Sequence, residues 1–95
     1  MSDIKTQLSE QIASIEWNLL IPHAHRDALV IVKEQLNLLD VAVAVAEDNA
    51  TAVQSWISQQ LIYKPSPQDL SIWNSQPKKQ FMTLIVQPFV LVQEN

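Results

Sequence analysis

No cysteine and no glycine occur anywhere in this 95-residue chain. Without cysteine there is no disulfide framework, no thiolate zinc site and no sulfur nucleophile. Without glycine there is no phosphate-cradling loop and no dinucleotide fingerprint, because both need positive φ or close backbone approach to a ligand. The glycine-flanked elbow that presents a catalytic serine is missing for the same reason. Turns must therefore be made by Asn, Asp and Pro, which carry their own local turn chemistry. No apolar run approaches the roughly 20 residues of a membrane-spanning helix. The opening residues Met1 to Lys5 lead into a polar amphipathic stretch rather than the apolar core of a secretory signal. The chain is thus expected in the cytoplasm and away from membranes.

Positive charge is also scarce. Six Lys and Arg stand against ten Asp and Glu, giving a net charge of -4, and the only basic pair is Lys78-Lys79. That is a poor footprint for phosphate backbones, so nucleic acid is not an expected partner. The charged fraction of 17% lies below the usual quarter, whereas the hydrophobic fraction of 47% is ordinary for a globular chain. The length suits one domain, residues 1–95. Area scaling for this size gives roughly 5,500 Å² exposed when folded against about 15,700 Å² unfolded, which is enough burial for a core without staples. A thin coat of charge leaves surface of the kind that associating proteins present.

Ile4, Leu8, Ile12, Ile15 and Leu19 recur at helical spacing, and Ser2 with Asp3 supplies a cap and a first-turn acid, so a helix is predicted from about residue 3 to 20, ending before Pro22. Ala28 to Val32 reads as a buried strand. After the polar connection Lys33 to Asn37, the alternation of Leu39, Val41, Val43 and Val45 with Asp40, Ala42, Ala44 and Ala46 predicts a second strand, paired with the first as a hairpin. Glu47-Asp48-Asn49 then supplies a strand exit and a cap for a helix carrying Val53, Trp56, Ile57 and Leu61 on one face. Ser66-Pro67-Gln68-Asp69 opens another helix, to about residue 75, with Leu70 and Trp73 inward. Phe81 to Gln93 reads as a long strand that Pro88 places at an edge, bulges or divides in two. The fold class is α+β: about three strands with three helices packed against them, in the order α-β-β-α-α-β.

Chemistry concentrates in His23-Ala24-His25-Arg26-Asp27. Two imidazoles and a carboxylate this close could share a divalent metal, completed by Glu16, Asp40 or a second copy. The string His-x-His-x-Asp overlaps the start of the metallo-β-lactamase metal motif. The further histidine of that motif is replaced by Ala28, and no third histidine exists. The alternative places these residues in a polar loop, with Asp27 paired to Arg26 or capping backbone amides. Asp40, among apolar neighbours, calls for an ion pair with Arg26 or a lysine. Trp17, Trp56 and Trp73 each lie on or beside an apolar helix stripe and read as core. No catalytic residue and no cofactor is assigned, and the chain reads as a non-enzymatic domain, with a metal- or ligand-binding loop at His23, His25 and Asp27 as the alternative.

The C-terminal run is apolar on both of its faces, and three short helices cover only one side of a small sheet. The other side, with Ile85, Val86, Pro88, Phe89 and Leu91, is therefore expected to meet a second copy, making a homo-oligomer and most simply a dimer.

Several strings together look similar to a short bacterial family known as domain of unknown function 2288. They are Trp17 followed by Leu20 and Pro22-His23, Asp27-Ala28-Leu29, Leu36 to Val45 with Asp40, Trp56, Lys64-Pro65-Ser66, Trp73 and Ile85-Val86-Gln87-Pro88-Phe89-Val90-Leu91. The last is the most specific. The resemblance spans nearly the whole chain and implies a stand-alone bacterial cytoplasmic domain; it brings no activity, substrate or catalytic residue.

Overall fold

The N-terminal apolar stripe is divided among three elements rather than one helix. In a computed structural model of the chain, which describes residues 4–94, α1 spans Ile4–Ser9, β1 spans Ala13–Glu16 and α2 spans Trp17–His25. The expected cap at Ser2 and acid at Asp3 lie outside the described residues. The helix stops at Ser9 because Ala13 to Glu16 pair antiparallel with residues 80–83, a tertiary ladder that outweighs helical periodicity. Pro22 lies inside α2 instead of ending the helical region before it. The start of α2 is held by backbone: the Trp17 and Asn18 amides donate to Lys79 O at 2.8 Å and Pro77 O at 3.0 Å.

The largest departure is residues 38–46, read above as a strand. They form helix α3, Leu38–Ala46. Asn37 is the cause, since its side-chain oxygen accepts from the amides of Leu39 at 2.9 Å and Asp40 at 3.2 Å, satisfying two of the helix's orphan donors. Asp40 then sits in the first turn, where the helix dipole favours an acid. Leu38, Val41, Ala42 and Ala44 are buried, so the strict Val/Ala alternation is an accident of a helix that is apolar almost all round. The hairpin expected through residues 33–37 therefore does not exist.

The remaining elements are β2 (Leu29–Val32), α4 (Ala50–Ser58), β3 (Ile62–Tyr63), α5 (Pro67–Asn74), β4 (Gln80–Val86) and β5 (Phe89–Glu94). Among the described residues there are thus five helices and one five-stranded sheet, not three of each. The sheet order is β1-β4-β5-β2-β3. Every pairing is antiparallel except β2 with β5, which run parallel. The capping box at α5 is as expected: Ser66 Oγ accepts from the Asp69 amide at 3.0 Å, and the Asp69 carboxylate accepts from the Ser66 amide at 3.1 Å. Pro65 follows β3 closely and stops it from extending along β2, since proline cannot donate to a ladder.

Of the alternatives for the C-terminal run, Pro88 separates two strands. Gln87 and Pro88, joined by a cis peptide bond, turn β4 back as β5, and Phe81 to Val86 pair with Phe89 to Glu94. This hairpin is central in the sheet, and helices of the same chain cover both its faces. On one face Leu84, Val86 and Leu91 pack with Leu8 of α1 and Leu38 and Val41 of α3. On the other, Phe81, Val90 and Val92 pack with Trp17 and Leu20 of α2 and Trp73 of α5. The premise that the run needs a second copy to shelter it is overturned, because α1 and α2 together supply cover that a single N-terminal helix could not. Val86 and Leu91, expected at an interface, are buried in the chain's own core. Ile85, Pro88 and Phe89 remain exposed. The accessible surface is 5958 Å², close to the scaling expectation.

Lack of glycine leaves a clear mark on the helix ends. Asp27, Asp48 and Gln60 have φ of 58°, 58° and 60°. Each follows the last residue of a helix cap, and the amide one position further on reaches back: Ala28 to His23 O, Asn49 to Ala44 O and Leu61 to Trp56 O, at 2.8–3.0 Å. These are Schellman ends, a geometry that usually selects glycine because a Cβ at positive φ costs about 1–2 kcal/mol. Aspartate tolerates it through local hydrogen bonding; glutamine at residue 60 does not have that excuse.

Candidate functional site

The structure separates the residues of the His-Ala-His-Arg-Asp string. His23 and His25 lie in the last turn of α2, and the Arg26 guanidinium donates to His23 Nδ1. His25 is exposed. Asp27 does not pair with Arg26: Lys64 Nζ donates to its Oδ2 and to its main-chain oxygen, each at 2.8 Å. That contact ties the end of α2 to the end of β3, two of the strings that carry the family resemblance. Asp40 lies 3.4 Å from Lys5 with both side chains more than half exposed, a pair worth roughly 0.2–1 kcal/mol. Among the described residues, no three of His, Cys, Asp and Glu come together as a metal-holding group. Glu16, considered as a further ligand, does line the same groove as His23.

Two grooves flank the hairpin, one on each face of the sheet. The first, about 460 Å³, lies between α2 and the β1-β4 edge; Leu19, Leu20 and Ile85 meet Glu16, His23 and Gln80 there. The second, about 380 Å³, lies between α4 and the sheet and is almost wholly apolar. Its floor is Val30, Ile62 and Leu91, its walls are Val45, Val53 and Ile57, and Phe89, Gln60 and Lys64 stand at its margin. A smaller lobe of about 240 Å³ continues it past Val45, Val53 and Phe89 to Asp48, Asn49 and Gln54.

The groove exists because α4 is poorly seated. None of its nine residues is buried; Val53 and Trp56 are half-buried, and Ile57 is 54% exposed. The sequence pattern put Ile57 inward, yet helix α4 leans against α3 and short β3 and leaves a gap over β2 and β5. A helix this short depends on tertiary packing for its stability. The groove residues went unrecognised in the sequence because Val30, Ile62 and Leu91 alternate in and out as any buried strand does. The one available hint was the narrowness of the apolar stripe of α4.

Tyr63 closes one end, with Lys33 Nζ 6.0 Å from its ring centroid. Burial, then the charges of Asp69 and Glu94, hold its phenol above the ordinary 10.0. The folded state thus binds this proton more tightly than the unfolded state does. Its contribution to stability is complete below pH 10.0 and is lost as pH rises through the folded value. Tyr63 is the only tyrosine, so tyrosinate absorbance reports it alone. The titration is expected to fall above that of unfolded chain, and Tyr63→Phe to remove this part of the alkaline loss of stability. Coincident titration curves for folded and urea-unfolded protein would show the burial to be without effect.

Helices on both faces of a mixed five-stranded sheet, with apolar grooves beside the central hairpin, define a small α+β domain. The chain belongs to the family described as Protein of unknown function (DUF2288), which it matches over residues 3–94. The solution NMR structure of PA1075 from Pseudomonas aeruginosa is similar, with a TM-score of 0.83 at 27% identity, covering 100% of this chain and 88% of that one. No curated protein matches it. Neither the family nor the similar structure brings an activity or a ligand. Among the described residues no helix is long and apolar enough to cross a membrane.

Proposed function

We propose that the chain is a non-enzymatic interaction domain and that its binding surface is the groove beneath α4. The observation that carries this reading is the chemistry of the groove walls. Val30, Val45, Val53 and Ile57 offer aliphatic surface above a floor of buried Ile62 and Leu91, in a concave space of about 380 Å³ within the range of small binding sites. The polar groups at its margin are ill suited to acid–base work. Gln60 has no titratable proton, and Tyr63, a phenol already protonated at neutral pH and held above its ordinary range by burial, offers no base. Such walls gain free energy by shedding water, about 25 cal/mol for each Å² covered, and need no chemistry to do so.

Solvent mapping tests the reading. Isopropanol titrated into dilute, methyl-labelled protein is expected to shift the methyl resonances of Val30, Val45, Val53, Ile57, Ile62 and Leu91 before others. Shifts gathered instead around Leu19 and Ile85, or spread evenly over the surface, would remove the groove as the binding surface.

A further inference from the structure

We infer that the occupant of the α4 groove is a second copy of this chain, docked about a two-fold axis that passes near Phe89. The inference rests on the groove reading and adds to it the identity of the partner. It begins from the lack of symmetry in the charge along the groove. One lobe ends at Lys64, the other at Asp48, and the two lobes share Val45, Val53 and Phe89 between them. A two-fold axis through that shared middle turns each copy end for end, so each Lys64 faces the partner's acidic end and each acidic end faces a Lys64. The surface is complementary to itself, as an isologous interface requires.

The two ends have capacity for this. Asp48 and its neighbour Glu47 have no salt-bridge partner among the described residues. Lys64 uses two ammonium hydrogens on Asp27, and an ammonium has three. The middle supplies the apolar contact: Phe89 is 37% and Ile57 54% exposed, both beside the groove. A stable dimer buries about 800 Å² on each partner, roughly one seventh of the 5958 Å² available here. Helix α4, with no buried residue, and the exposed turn of the hairpin lie together on this side and can furnish that area. A helix seated from outside would also explain why a nine-residue segment with so little cover in its own chain is helical.

The arrangement makes a prediction about charge reversal, and a closed dimer rather than an open series of larger species distinguishes it from head-to-tail docking. Lys64→Glu alone sets acid against acid at both ends, and Asp48→Lys alone sets base against base. Each is expected to weaken association at least tenfold by analytical ultracentrifugation. Mixing the two variants restores opposite charges at both ends, so the heterodimer is expected to form where neither variant self-associates. Ile57→Ser and Phe89→Ser, at exposed positions, are expected to give folded monomers with unchanged far-ultraviolet circular dichroism. Parent protein that stays monomeric up to its solubility limit would overturn the second copy; if isopropanol still maps to the groove, the groove reading survives and its occupant is another molecule. A parent dimer indifferent to Ile57→Ser and Phe89→Ser would overturn both the occupant and the site. A dimer weakened by those changes but not rescued in the mixture would overturn the two-fold pairing.

Discussion

Val41→Asp is expected to leave no folded protein, while Val43→Asp, two residues along, folds with a loss of about 1–2 kcal/mol. Val41 is fully buried between α3 and the sheet, so a carboxylate there has neither water nor partner, and desolvation costs several kcal/mol. A domain of this length has only about 5–14 kcal/mol of stability to lose. Val43 lies about 200° further round the helix and is half-buried at the margin of the same core. Urea denaturation of the two variants checks this. On a strand, Val41 and Val43 would share one face and suffer alike; equal losses would therefore contradict α3 as a helix.

Trp17→Ala is expected to cost about 3–5 kcal/mol, enough to bring the domain close to unfolding at ordinary temperatures. The indole is buried and anchors the second core. Its ring lies 5.2 Å from Trp73 and 5.9 Å from Phe81, tilted against each, and its Nε1 donates to Asn74 Oδ1 at 2.9 Å. Trp73 and Phe81 meet edge to face at 5.1 Å. The cluster joins α2, α5 and β4, so removing its centre opens a cavity shared by three elements. Trp56→Ala, at a half-buried position beside the α4 groove, is expected to cost less than half as much. A smaller loss for Trp17→Ala than for Trp56→Ala, measured by urea denaturation, would show that the aromatic cluster is not where the second core draws its stability.

Local signals were readable where they were complete within a few residues. The box Ser66-Pro67-Gln68-Asp69 and the cap at Asn49 mark the starts of α5 and α4 because the donors and acceptors involved are three residues apart or fewer. The burial of Trp17 and Trp73 followed from their place on apolar stripes. Where two patterns fit the same residues, reading failed. Leu38 to Ala46 alternates like a strand and is also apolar enough for a buried helix, and Asn37, which decides between them, suits a turn as well as a helix cap. Ile12 to Glu16 continues a helical stripe yet ends in a ladder with β4, some 65 residues away.

The candidate site was less legible still. Of the five residues expected at an interface, Ile85, Pro88 and Phe89 are exposed, while Val86 and Leu91, in the same string, face the chain's own helices. Asp27 was expected to pair with Arg26 or to cap backbone amides, and its partner is Lys64, 37 positions on.

By itself, the sequence determined the class of the protein: an α+β fold without the residue types for thiol chemistry, phosphate loops or a serine elbow. Composition does this because those functions need particular atoms, and atoms that are absent cannot be supplied by folding. Only the tertiary structure decided that the C-terminal run is sheltered on both faces, that Asp27 meets Lys64, and that α4 stands off the sheet above an apolar groove. Each of those depends on which distant segments pair, and the free energies that choose the pairing are sums over both faces of a sheet, which no local stretch of sequence contains.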